Sequence, residues 1–179
     1  MARIVLDAGH GGRDPGAIGK TLQEKAVNLS LAYCLKMSLE RMGYSVYMTR
    51  YRDEYIRFAT RIDVANREEA DLFISLHCNG HQNLIANGVE TYHFPGSKKG
   101  TPLAEAIQKE LVVATGLRNR GVKGAAYYVL RRTKMPAALV ELAFITNPSE
   151  EELLSDMAFL VSSANAIAFG VRNYLKGGN

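Results

Sequence analysis

The chain has 179 residues, 47% of them hydrophobic and 22% charged, with 22 basic against 18 acidic side chains and five prolines. That balance excludes intrinsic disorder and low-complexity or collagen-like character, and the length suits one globular domain over residues 1–179. The net charge of +4 fits a polyanionic partner or a merely solvated surface equally well, and no nucleic-acid partner is expected.

The first residues enter the apolar run Arg3–Asp7 without the features of an export leader, which fits either a cytosolic protein or a domain excised from a longer exported one. Strands are expected at Arg3–Asp7, Ser45–Thr49, Leu72–His77, Gly88–Phe94, Ala126–Leu130 and Ala138–Leu142, several of them apolar throughout, as strands covered on both faces are. Between them the apolar spacing of Val27, Leu31, Leu35 and Met42 predicts a helix over Gln23–Met42 that Gly43 ends. A second is read over Arg57–Glu69, and a third opens at Thr101-Pro102 and stops near Gly116. Ser149-x-x-Glu152 reads as a capping box, and Met157, Leu160, Ala164, Ile167, Val171 and Tyr174 trace one stripe of a long last helix. Charges such as Lys36, Arg41, Arg67 and Asp71 interrupt the apolar stretches, so no membrane span is expected. The alternation predicts an α/β three-layer sandwich with a mostly parallel central sheet of about six strands.

In such sheets sites gather at the carboxyl ends of strands. His10 follows the first strand, His77 ends the third, and Glu141 stands inside the otherwise apolar Ala137–Phe144. Glu24 falls in the first turn of the first helix, on the face of Leu31 and Leu35, although a helix-start carboxylate is also favoured by the macrodipole alone. Two imidazoles, one carboxylate and an open position form the set that catalytic zinc uses, but His10, Glu24 and His77 are far apart in sequence and only a fold can bring them together. Glu141 is the stronger physical signal, because a carboxylate among apolar residues must be paired, metal-bound or functional, and a structural ion pair stays open as its alternative.

Weaker features reduce to structure. Gly19-Lys20-Thr21 resembles the end of a phosphate loop, but Asp14 stands where the earlier glycine is required, so nucleotide binding is the least favoured reading. His10-Gly11-Gly12 has no accompanying G-x-S-x-G elbow. His81 and His93 default to the surface, and Cys34 and Cys78 read as small buried apolar residues rather than a bridge. The stretch from Arg118 to Lys134, which includes Arg131 and Arg132, carries six basic and no acidic residues and suits either an anionic substrate or solvent.

Taken in order, Ile4–Gly12 with Asp14-Pro15-Gly16-Ala17, Glu24-Lys25 with Asn28-Leu29, Arg61 and Asn66 ahead of Ala70–Asn79, Gly88–Tyr92, Arg120–Lys123, Val129–Arg131 and Met135–Asn147 resemble the zinc-dependent N-acetylmuramoyl-L-alanine amidases of bacterial cell walls, the amidase-3 type. The resemblance spans nearly the whole chain. It implies that His10, Glu24 and His77 hold one zinc ion per chain and that Glu141 is the catalytic carboxylate. Peptidoglycan is then the substrate, cut between the lactyl group of N-acetylmuramic acid and L-alanine, with Asn79, Arg131 and Arg132 as candidate substrate contacts. It further implies work at the cell wall outside the cytoplasm, anionic wall polymers as possible partners, and a monomer. The alternatives are a zinc peptidase acting within the stem peptide and a non-catalytic wall-binding module. Cys78 stands where the family usually carries alanine, and strand alternation is expected to turn it away from the site. Regulated members carry an inserted helix that plugs the site between the regions of Gly88 and Arg120; here only the helix after Thr101-Pro102 fills that span, so an open site is expected.

Overall fold

A computed structural model describes residues 1–177. Among these residues are six strands, β1 (Arg3–Ala8), β2 (Ser45–Met48), β3 (Leu72–Asn79), β4 (Val89–His93), β5 (Asn119–Gly124) and β6 (Ala137–Phe144), and six helices, with β4 following β3 directly. These are α1 (Glu24–Arg41), α2 (Phe58–Arg67), α3 (Gly100–Thr115), α4 (Tyr128–Arg132), α5 (Pro148–Ser155) and α6 (Met157–Gly177). The strands form one sheet in the order β2-β1-β3-β6-β4-β5. β2, β1, β3 and β6 run parallel, whereas β4 pairs antiparallel with β6 and carries β5 parallel to itself. The three-layer α/β sandwich with a mostly parallel sheet is therefore the observed architecture.

Strand alternation divides the core. Ile4, Leu6 and Ala8 of β1, Leu72, Ile74, Leu76 and Cys78 of β3, and Ala138, Val140 and Leu142 of β6 face one way, into a cluster with the apolar stripes of α1, α3 and α6. Val5, Phe73 and Leu139 face the other way, into a smaller cluster with Ala65 of α2 and Val129 and Leu130 of α4. The paired, apolar strands β1, β3 and β6 at the centre fix the level at which their polar ends emerge. Among the described residues no single helix is long and apolar enough to cross a membrane.

The edge differs from the sequence expectation. Ala126–Leu130 is not a strand: β5 is the polar Asn119–Gly124, and Tyr128–Arg132 coils into α4. The aromatic and β-branched run has high strand propensity, but the Tyr127 carbonyl accepts from the amides of Leu130 and Arg131, both at 3.0 Å, and the turn buries Val129 and Leu130 against the sheet. Tertiary burial overrides local preference here. Two helix starts also move. The Asn147 side chain, not Ser149, caps α5 by accepting from the amides of Ser149 and Glu150, with Pro148 in the first turn. α3 begins at Gly100, whose amide donates to the Ser97 hydroxyl at 2.9 Å, so Thr101 lies inside the helix rather than capping it.

Candidate metal centre

The site forms where β1, β3 and β6 end. His77 and Glu141 are register partners on β3 and β6, so both side chains leave the same face of the sheet at one level. β1 stops at Ala8, and the chain turns through His10, whose φ of 62° is the left-handed conformation that a non-glycine residue adopts only when its surroundings impose it. Two buried arginines impose it. Arg50 donates through Nε to the Ala8 carbonyl (2.9 Å) and through Nη2 to the Gly9 and Lys25 carbonyls (3.0 and 2.7 Å). Arg61 donates to the carbonyls of Ala8 and His10, each at 2.7 Å, and to Asp7 Oδ1 at 2.6 Å.

Glu24, the first residue of α1, reaches under this loop with 3% of its surface exposed. Its Oε2 lies 3.1 Å from His10 Nε2 and its Oε1 2.9 Å from His77 Nδ1. Oε2 also accepts from the Ala17 amide and Oε1 from the Cys78 amide. Asp14 Oδ2 holds the opposite nitrogen of His10, Nδ1, at 2.9 Å and so fixes the ring with Nε2 turned toward Glu24. Donor atoms of His10, Glu24 and His77 converge within 4.8 Å of one another. Space for them is made by missing side chains. A Cβ at Gly9 would stand 2.5 Å from His77 Nε2, and one at Gly16 (φ 69°) would stand 2.5 Å from Glu24 Oε2 and 2.7 Å from His10 Cδ2.

Charge follows geometry. Burial pushes the Glu24 carboxyl up, but the two imidazoles outweigh it and hold the group well below the usual carboxylate range. Burial opposes protonation of His10, yet Glu24 and Asp14 together raise its pKa. Glu141 is the opposite case: burial first, then the charges of Glu24 and Glu90, push its pKa well above the ordinary value. Its Oε2 is buried with no hydrogen-bond partner among the described residues, so the structural ion pair that the sequence left open is not formed.

Two clefts share this centre. One, of about 480 Å³, is lined by His10, Glu24, His77 and Glu141 together with Asn79, His81 and Thr146. The other, of about 220 Å³, reaches from His10, His77 and Glu141 to the aromatic side chains of Tyr55, Phe58, Tyr127 and Tyr128. A larger cavity, about 920 Å³, lies by Ala70, Leu72, Met135 and Pro136, at the other ends of β3 and β6, and is lined by none of the four. Asn79 lines the first cleft, but its Nδ2 donates to Glu90 at 2.7 Å and its Oδ1 accepts from the Gly80 amide. Arg131 lies in a separate basic groove with Lys98, Lys99 and Lys134, and Arg132 is exposed beside the Tyr128 ring. Cys78 is 2% exposed and its side chain packs in the larger core cluster, while the residue also borders the first cleft and its amide donates to Glu24 Oε1.

Sequence reasoning did not single out Asp14 as the support of His10, nor the clamp of Asp7, Arg50 and Arg61, nor Glu90. Asp14 sits four residues from His10 in a glycine-rich loop, a spacing that offers a signal. The others depend on strand order.

The described geometry has close relatives among known proteins. A profile of the N-acetylmuramoyl-L-alanine amidase family matches residues 4–173. The N-acetylmuramoyl-L-alanine amidase LytC of Bacillus subtilis (strain 168) is 40% identical over 178 residues, covering 97% of this chain and 35% of LytC. A sporulation-specific N-acetylmuramoyl-L-alanine amidase of the same organism is 37% identical over 174 residues, 96% of this chain and 67% of that protein. The chain thus spans about a third of LytC and two thirds of the sporulation protein. Among solved structures, an N-acetylmuramoyl-L-alanine amidase from Clostridium difficile 630 superposes with a TM-score of 0.96 at 34% identity, covering 99% of this chain and 98% of that one. The catalytic domain of CwlV from Bacillus (Paenibacillus) polymyxa var. colistinus gives 0.94 at 35% identity, covering 98% and 99%. With residues 4–173 matched and two amidase structures superposing over nearly the whole chain, the chain belongs to the N-acetylmuramoyl-L-alanine amidase family.

Proposed function

We propose that the chain is a single catalytic domain that hydrolyses the amide between the lactyl group of N-acetylmuramic acid and L-alanine in peptidoglycan, acting as a monomer at the cell wall outside the cytoplasm. The carrying observation is the buried, unpartnered Oε2 of Glu141 beside the convergent donors of His10, Glu24 and His77. Family membership supports the substrate, and the donor set fits zinc: two imidazoles and one carboxylate, with an outer carboxylate on His10. His10, Glu24 and His77 would hold a zinc ion, which when bound would supply Lewis acidity to the amide carbonyl and to the attacking water.

The remaining chemistry belongs to the chain. Glu141 Oε2 takes the proton of the attacking water and delivers it to the leaving nitrogen of L-alanine. Burial raises the pKa of Glu141 and a cation held beside it would lower it, and these opposing influences set how readily the carboxylate takes the proton and returns it. Asp14, Arg50 and Arg61 hold His10 and its loop, so the ligands keep their places while substrate enters the two clefts. α3 packs on β4 and α6 and lines neither cleft, so cutting needs no activator. Arg131 and Arg132 stand outside both clefts and serve contact with anionic wall polymers rather than with the scissile bond.

Glu141→Gln tests the assignment. It should bind one zinc per chain as the parent does and lose nearly all turnover; retained turnover overturns the base. Fragments cut inside the stem peptide would favour a zinc peptidase, and wall binding without any cutting a non-catalytic module.

A further inference from the structure

The antiparallel register of β4 and β6 sets Glu90 directly opposite Glu141, on the same face of the sheet. The two carboxylates have contrasting surroundings. Glu90 is 2% exposed, and each of its oxygens accepts two bonds: Oε1 from Asn79 Nδ2 (2.7 Å) and the Tyr92 hydroxyl (2.9 Å), Oε2 from Arg120 Nε (2.9 Å) and Lys123 Nζ. Glu141 Oε2 accepts none. One carboxylate of the pair holds two cations, while its neighbour stays bare.

The cations differ in how firmly they are held. Arg120 also donates to the Asn87 carbonyl at 3.2 Å, and its guanidinium lies 4.8 Å from the centre of the Phe144 ring. Lys123 has no hydrogen-bond acceptor besides Glu90 among the described residues, only the Tyr92 ring 5.9 Å away. β5 and β6 are separated by two strand spacings, roughly 9.5 Å, and Lys123 stands level with Leu139, two residues or about 7 Å along β6 from Glu141, so about 12 Å separates the two Cα atoms. A four-carbon lysine stem and a glutamate side chain together bridge that gap. An ammonium released from Glu90 therefore has one bare buried carboxylate within reach, and a partly desolvated ion pair there is strong.

We propose that Glu90 is a positioning residue that acts as a decoy carboxylate: by holding Lys123 beside Arg120, it keeps the lysine from pairing with Glu141 and leaves Oε2 free for the attacking water. This rests on the reading of Glu141 as the base. A purely structural Glu90, tying β4 to β5 and to Asn79, makes the opposite prediction once the cation is removed.

The test compares kcat and KM of the zinc-loaded parent, Glu90→Gln, Glu90→Gln/Lys123→Met and Glu141→Gln on purified peptidoglycan, with melting curves for each. Glu90→Gln should lower kcat about 10-fold with KM little changed, a part of the ~100- to 10,000-fold that a positioned base contributes. Adding Lys123→Met should restore most of the lost kcat even though it removes one more contact. Glu90→Met with and without Lys123→Met repeats the comparison in case Gln destabilises the sheet edge, and there too the second change must raise kcat. Double variants as slow as or slower than the single ones overturn the decoy, as does an undiminished kcat in Glu90→Gln. If Glu141→Gln still turns over, the base reading itself fails and the decoy falls with it; if Glu141→Gln is inactive and rescue is absent, the decoy alone fails.

Discussion

Arg61→Met is the most informative perturbation of the scaffold beneath the site. Arg61 and Asp7 are 3% and 1% exposed, and the guanidinium serves Asp7 Oδ1 and the carbonyls of Ala8, His10 and Ile56 at 2.6–3.0 Å. Methionine fills similar space but donates nothing, so a buried carboxylate loses its countercharge and three carbonyls lose a donor. Breaking a buried ion pair from one side costs about 3–5 kcal/mol, a large share of the ~5–15 kcal/mol that holds a domain together. At about 2–4 °C per kcal/mol for a chain of this size, the melting temperature should fall by roughly 6–20 °C. Thermal and urea unfolding followed by circular dichroism measure it. Replacing both partners, as Asp7→Leu/Arg61→Met, should recover part of the loss, because no unpaired charge remains. A loss under about 1 kcal/mol for Arg61→Met, or a double variant weaker than the sum of the singles, would refute the claim that this pair anchors the His10 loop.

Acid should weaken the same pair. Burial alone would raise the Asp7 carboxyl, but Arg61, with the hydroxyls of Thr49 and Ser75, brings it below the ordinary value. Its contribution is therefore fully present above the unfolded value near 3.9 and is lost as pH falls through the lower folded value; urea midpoints between pH 5 and pH 2 should fall less steeply in Asp7→Asn than in the parent. Asp14→Asn should weaken zinc binding about 10- to 100-fold by loosening His10, as read by chelator competition, with the melting temperature of the metal-free protein nearly unchanged. Cys78→Ala should leave turnover within about 2-fold of the parent, because the thiol faces the core and burial pushes its pKa well up; a large loss in a peptidoglycan assay would place the thiol in the chemistry after all.

Much of this was legible in the sequence because local physics and tertiary structure agree. The strands β1, β3 and β6 are continuous apolar runs, and such runs are buried on both faces wherever they pair. Their polar ends then had to emerge together, which is why His10, His77 and Glu141 stood out. Glu24 was legible from helix periodicity. The edge was not: Asn119–Gly124 contains two glycines and no strong strand former apart from Val122, and it becomes a strand only because β4 offers a free edge. Glu90 was hidden for a related reason. Its partner on β6 lies some fifty residues away, and an antiparallel neighbour in a mostly parallel sheet is a matter of strand order that no local pattern encodes.

The most direct measurement of the central claim is digestion of purified peptidoglycan by zinc-loaded protein and by the same protein after chelation, with mass analysis of the fragments. The account predicts about one zinc per chain, chelator-sensitive release of intact stem peptides that begin with L-alanine, and glycan strands bearing a free lactyl carboxylate. Cutting that survives complete metal removal, or fragments that retain the lactyl amide, would contradict it.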